Sequence, residues 1–240
     1  MKRLLALLGV SLIGCWLNVA FASPSVVVVP LKGPIGPASA EFVSDSIDKA
    51  EDMAADLVVI EIDTPGGLLT STRELIQAIV TSITPVVTYV APSGARATSA
   101  GTFIMYASHI AAMAPGTHVG AASPVALGGG SQPKQADAPP STMEKKVMSD
   151  STAYIRSLAQ MRGRNAEWAE LAVTEAKSLS AKEALKLGVI NLIAPSLDDL
   201  IQQLNGQSVQ VQGKAQTLAL DASKITVLKP TLRQQILATI

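Results

Sequence analysis

Thiol chemistry has almost no material in this chain: one of its 240 residues is cysteine, Cys15, and it lies in the apolar leader. Loss of that leader leaves nothing to build a disulfide or a thiolate metal site. Aromatic residues make up 3% of the chain, so aliphatic side chains must fill the core, for which an apolar content of 48% is ample. Histidine is nearly as scarce, with His109 and His118 alone. Charge of either sign is not in excess: 19 basic residues face 19 acidic ones, and without residues 1–22 the balance is 17 against 19. A net charge near minus two gives no electrostatic footprint for nucleic acid.

What is present begins with "MKRLLALLGVSLIGCWLNVAFAS". Lys2 and Arg3 precede an apolar stretch, and Ala20-Phe21-Ala22 has the small-x-small form of a signal-peptidase site, so residues 1–22 read as a signal peptide. "LIGC" offers an alternative, a lipobox with Cys15 lipidated, against which the apolar "WLNVAFA" speaks. Either route exports the chain, to the periplasm or the extracytoplasmic face of a membrane.

From residue 23 onward short β-branched runs alternate with longer amphipathic ones, the pattern of an α/β domain. "SVVVVPLKGPIG", "LVVIEIDTP" and "PVVTYVAP" read as strands, each followed by a helical segment, and "TSAGTFIMYASH" as a helix starting at or near Ser99. "IAAMAPGTHVGAA" reads as one further strand-like piece. Residues 123–140, "SPVALGGGSQPKQADAPP", have no period and read as a long mobile loop. Helical periodicity resumes after a capping box at Ser141 and Glu144. Further helices, the strand "VINLIA" and a β-rich tail complete a single domain over 23–240.

Three places carry candidate chemistry. In "IEIDTPGG" a strand runs into Pro65-Gly66-Gly67, leaving backbone N–H groups where a ligand can approach; an ordinary strand-to-helix turn has the same sequence. Ser99, among Ala97, Ala100 and Gly101, is either an N-cap or a nucleophile at a helix N-terminus. A nucleophile needs a base. His109 follows the Ser99 helix by ten residues, which at about 1.5 Å each puts it roughly 15 Å away. His118 has no pattern to support it. Of the lysines, Lys145 falls on a solvent face, whereas Lys146 falls at the edge of the stripe formed by Met143, Val147, Tyr154 and Leu158, where partial burial would favour the neutral amine a base requires.

Taken together, "LVVIEIDTPGG", "GARATSAG", "AMAPGTHVGAASPV" and "KVMSDSTAYIRSLAQMRGRNAEWAELAV" resemble, in order and spacing, the NfeD family of membrane-associated serine proteases in the ClpP/crotonase superfamily. The resemblance covers about residues 24–240. It implies a ClpP/crotonase-like spiral of β-β-α units, a Ser-Lys dyad of Ser99 and Lys146, and an oxyanion hole from Gly67 and Ala100 with Gly66 beside them. It implies no cofactor, assembly into a homo-oligomer, and a stomatin-like membrane protein as substrate or partner. Two departures stand out. Where Clp peptidases carry the triad histidine, two residues before a proline, this chain has Ala122, and a strand would carry His118 more than about 10 Å off. Full-length relatives also continue into membrane-spanning helices, whereas this sequence stops at "TLRQQILATI". A non-catalytic scaffold on the same fold, and a crotonase-type enzyme acting on acyl-CoA, are the rival expectations.

Overall fold

The computed structural model describes residues 25–125 and 141–237. The proposed signal peptide and most of the 123–140 loop lie outside them. Three expected strands form β1 (Val26–Lys32), β2 (Leu57–Asp63) and β3 (Val86–Val90), linked by α1 (Pro37–Asp52) and α2 (Leu69–Thr81). All lie in one parallel sheet, as right-handed strand–helix–strand crossovers dictate. Near-continuous apolar runs are required here because both faces are covered. Val27, Val29, Val58, Ile60 and Ile62 pack toward α1 and α2 in one core, while Val26, Val28, Leu57, Val59 and Val87 pack in a second.

Beyond β3 the chain alternates between two sheets. β4 (Arg96–Thr98) leads into α3 (Ala100–Ala107), β5 (Ile110–Met113) returns to the main sheet, and β6 (His118–Gly120) pairs with β4. The single strand-like piece expected over 110–122 is therefore two strands in two sheets, broken at Pro115-Gly116. β3-β4-α3 and β5-β6 followed by α4 (Thr142–Met161) are the β-β-α turns of the spiral.

Next come α5 (Ala166–Thr174), β7 (Ser178–Ser180), which closes the small sheet against β6, and α6 (Ala181–Lys186). β8 (Leu192–Ile193) joins the main sheet edge; α7 (Leu197–Leu204) and the hairpin of β9 (Ser208–Val211) and β10 (Lys214–Thr217) cover its second face. β11 (Ile225–Val227) pairs with β1, and α8 (Leu232–Leu237) follows. The main sheet thus runs β11-β1-β2-β3-β5-β8, parallel throughout.

Candidate active site

The site grows out of the carboxyl end of β2, where Thr64 ties four segments together. Its hydroxyl donates to the Gly33 carbonyl (2.7 Å) and accepts from the Gly66 N–H (3.0 Å). Its backbone N–H bonds the Arg96 carbonyl and its carbonyl accepts from the Thr98 N–H, at 2.8 and 3.2 Å. The Pro65-Gly66-Gly67 turn and the β4–α3 junction are thereby held side by side.

Gly67 pairs with Ile35 as an isolated parallel bridge, through Ile35 N–H to the Gly66 carbonyl and Leu68 N–H to the Ile35 carbonyl, both 2.8 Å. That pattern uses the neighbours' groups and turns the Gly67 N–H to the opposite side. Among the described residues nothing accepts from it. A side chain at 67 is impossible, because a Cβ would lie 2.0 Å from the Ile35 oxygen. Gly66, at φ +115°, abuts the serine: a Cβ there would lie 2.6 Å from the Ser99 Cβ and 2.9 Å from its Oγ.

Ser99 has φ 54° and ψ −118°, a left-handed conformation that a non-glycine residue adopts only under constraint. The constraint is visible. Its N–H is fixed to the Gly120 carbonyl (2.9 Å), and Thr102 Oγ bonds the carbonyls of Ala97 and Gly120 at 3.0 and 2.9 Å. Ser99 occupies the cap position of α3, yet its side chain makes no capping bond. An ordinary N-cap serine has extended backbone and bonds the first turn, so the capping alternative does not describe this residue. The Ala100 N–H, first of the helix, has no described acceptor either, and the helix dipole favours negative charge in front of it.

These groups front a cavity of about 540 Å³ whose other walls are Pro34 to Ser39, Leu68, Leu69, Thr72, Phe103, Ala122, Pro124, Val125, Val147 and Ser151. Among the described residues no ionisable side chain lines it. Ala122 stands in the wall, buried, with its N–H bonded to the Ala172 carbonyl, so the place of a triad histidine is a methyl group.

α4 forms one wall because it is docked against α2 and α3. The Tyr154 ring stacks on Phe103 (centroids 6.1 Å apart), the Arg73 guanidinium lies 4.4 Å over that ring, and Arg73 pairs with Asp150. The expected capping box starts the helix, with Ser141 N–H on Glu144 Oε2 at 2.7 Å. Lys146 corrects the sequence reading. The buried side chains of α4 are Ser151, Ile155, Leu158 and Ala159, so the stripe centres near Ile155, not Met143, which is 69% exposed. At about 100° per residue Lys146 lies roughly 180° from Ile155. It is exposed, like Lys145, and outside the cavity lining.

Both histidines are elsewhere. His109 is buried beyond the far end of α3, its Nδ1 accepting from the Val86 N–H (3.1 Å). Burial, with the Arg162 and Arg164 charges, pushes its pKa down to about 3. His118 is exposed on β6. Sequence reasoning missed Thr64, Thr102 and Ser151, none of which stands out from an ordinary turn or helix residue. Among the described residues no cluster of His, Cys, Asp and Glu suits a metal, and no helix is long and apolar enough to cross a membrane.

The family model for the N-terminal domain of NfeD1b matches residues 25–214. The chain belongs to this family. Among relatives of the NfeD1b N-terminal domain, it is 38% identical over 217 residues to membrane-bound protease PH1510 of Pyrococcus horikoshii, covering 90% of this chain and 48% of that protein. It is 31% identical over 232 residues to membrane protein NfeD1b of Bacillus subtilis, covering 89% and 49%. The chain thus spans about half the length of these relatives. Among solved structures, a lysine-to-alanine mutant of the 1510-N membrane-bound stomatin-specific protease in complex with a substrate peptide superposes with a TM-score of 0.79 at 37% identity, over 91% of this chain and 98% of that one. A serine-to-alanine mutant of the same protease gives 0.79 at 38%, over 88% and 100%. ClpP1 of Listeria monocytogenes, at 20% identity, shares the fold with a TM-score of 0.56, over 72% and 94%.

Proposed function

We propose that this NfeD1b-type domain is a serine peptidase that cleaves an apolar stretch of a stomatin-like membrane protein on the extracytoplasmic side of a membrane, and that it works as a homo-oligomer. One observation carries the reading: a serine held at positive φ stands beside the Gly67 and Ala100 amides at the mouth of an apolar cavity, its hydroxyl and both amides without a partner among the described residues. Ser99 Oγ attacks the scissile carbonyl, and the N–H groups of Gly67 and Ala100 receive the oxyanion, with Gly66 leaving the space between them. No cofactor is needed for this chemistry.

Lys146 takes the serine proton and returns it to the leaving amine. The solved relatives support a serine and a lysine, since those are the residue types replaced in their mutants. Lys146 adjoins Val147, a wall residue, and this role requires its side chain to fold back over that wall toward the serine. Exposure of Lys146 favours one rival, a non-catalytic scaffold that binds the same partner. A fluorophosphonate that labels the parent and not Ser99→Ala, with peptide cleavage lost in Ser99→Ala and Lys146→Ala, supports the peptidase. An unlabelled parent supports the scaffold, and unchanged turnover in either variant removes that residue from the mechanism.

A further inference from the structure

Four hydroxyl-bearing residues line the cavity: Ser39, Thr72, Ser99 and Ser151. Two are satisfied within the protein. Ser39 Oγ exchanges bonds with Gly36, and Thr72 Oγ donates to the Leu68 carbonyl at 2.7 Å. Ser99 is the proposed nucleophile. Ser151 is 3% exposed, and its hydroxyl has no hydrogen bond among the described residues.

Its place is what sets it apart. Some helical hydroxyls fold back onto the carbonyl four residues earlier, Ser46 onto Phe42 (2.6 Å) and Thr152, the next residue along, onto Met148 (2.8 Å); Ser71 on α2, like Ser151, is buried with its hydroxyl unbonded among the described residues, but it does not line the cavity. Ser151 leaves the Val147 carbonyl alone. Nor is its oxygen sealed in protein, for the sealed unpartnered polar side-chain atoms among the described residues belong to Thr88, His109, Arg162 and Trp168. It opens on the cavity, one helical turn from Val147 and on a different wall from Ser99.

A ligand that fills the cavity takes this hydroxyl away from water, and a buried hydroxyl without a partner opposes binding. The surrounding wall is apolar, so it selects apolar side chains. Such a peptide has polar groups only along its main chain. We infer that Ser151 is a substrate-binding residue whose hydroxyl hydrogen-bonds the main chain of the peptide lying across Ser99. This rests on the peptidase reading, and it assigns α4 a role in fixing peptide register that is independent of Lys146.

The test separates binding from chemistry by working on the Ser99→Ala protein. The probe is a fluorescein-labelled apolar peptide of leucine, valine and alanine with terminal lysines for solubility, followed by fluorescence anisotropy. Adding Ser151→Ala is expected to raise its Kd about tenfold, equivalent to about 1.4 kcal/mol. Adding Ser151→Thr, which keeps the hydroxyl, is expected to restore most of the affinity. Thermal stability supplies the discriminating readout: Ser151→Ala removes an unpartnered hydroxyl and improves helix propensity, so its Tm should equal or exceed the parent's while binding falls. Equal Kd with and without Ser151→Ala overturns the inference and leaves the peptidase reading standing. If Ser99→Ala binds no such peptide at all, both fall together.

Discussion

At its first residues α3 leaves the Ala100 amide unpaired behind a serine in a left-handed conformation; at its last residues its carbonyls are met by donors reaching in from a separate segment. Arg164 Nη1 bonds the carbonyls of Met105 (2.8 Å) and Tyr106 (3.3 Å), Nη2 bonds those of His109 and Asn191 Oδ1, and Arg162 Nε bonds Ala107 at 2.8 Å. Ser108 Oγ adds a bond to Met105. The negative end of the helix dipole favours the two cations placed there. The contrast teaches how an eight-residue helix can expose reactive groups at one end: it is anchored at the other.

Breaking the anchored end should have the largest effect. Arg164 is buried, and no described carboxylate pairs with it; burial pushes its pKa down to about 9, still well above neutrality. Arg164→Met takes the guanidinium donors from the carbonyls of Met105, Tyr106 and His109 at once, and is expected to cost about 3–4 kcal/mol. For a domain of this size that corresponds to roughly a 10 °C loss in Tm. Arg164→Lys should rescue little, because one ammonium cannot reproduce the fork. Denaturant titration of both variants decides it, and an Arg164→Met protein within 1 kcal/mol of the parent would dissolve the idea of an anchor.

None of that anchor was legible beforehand, since a buried arginine has no periodic signature and "QMRGRN" reads as a helix end. The layout of strands and helices was legible because β2 and β3 need apolar residues on both faces and α1 and α2 on one. Three-residue strands such as β4, β6 and β7 carry too few residues to show a period, so the small sheet is not legible in the sequence. At the site, Pro65-Gly66-Gly67 and Ser99 stood out by residue type, but the positive φ that distinguishes Ser99 from a cap depends on Gly120 and Thr102. Counting the stripe from Met143 puts Lys146 at its edge, but Met143 is 69% exposed and lies off the buried face that Ser151, Ile155 and Leu158 mark.

The open end is tested by filling it. Gly66→Ala puts a methyl group 2.6 Å from the Ser99 Cβ and 3.4 Å from the Ala100 nitrogen, at a φ that alanine resists. Something must move, and a shift of about 1 Å at the nucleophile is enough to cost about 100-fold in turnover. Fluorophosphonate labelling should slow by a similar factor, while stability falls only by about 1–2 kcal/mol. Labelling at the parental rate would mean that the close approach of Gly66 to Ser99 has no part in the chemistry. On the expected results the two ends separate in opposite senses: Arg164→Met should unfold the domain sooner, whereas Gly66→Ala should leave it folded and slow.

A smaller effect, in pH, distinguishes the ends further. His109 begins the connection from α3 to β5, buried with its Nδ1 committed to the Val86 N–H and with Arg162 and Arg164 nearby. Its folded pKa, about 3, lies below the unfolded value near 6.5, so it stays neutral in the native protein while the unfolded chain takes up a proton. Stability from this group is therefore complete above pH 6.5 and is lost as pH falls toward 3. The slope approaches about 1.4 kcal/mol per pH unit at most. His109→Gln keeps an acceptor for Val86 and removes the titration. Between pH 7 and 5 the gap in unfolding free energy should move in favour of the variant, and carboxylates common to both proteins cancel in that comparison. Parallel stability curves would show that the anchored end is wet enough to take up the proton. Ser99, at the open end, has no such group near it, and replacing it should leave this slope as it is.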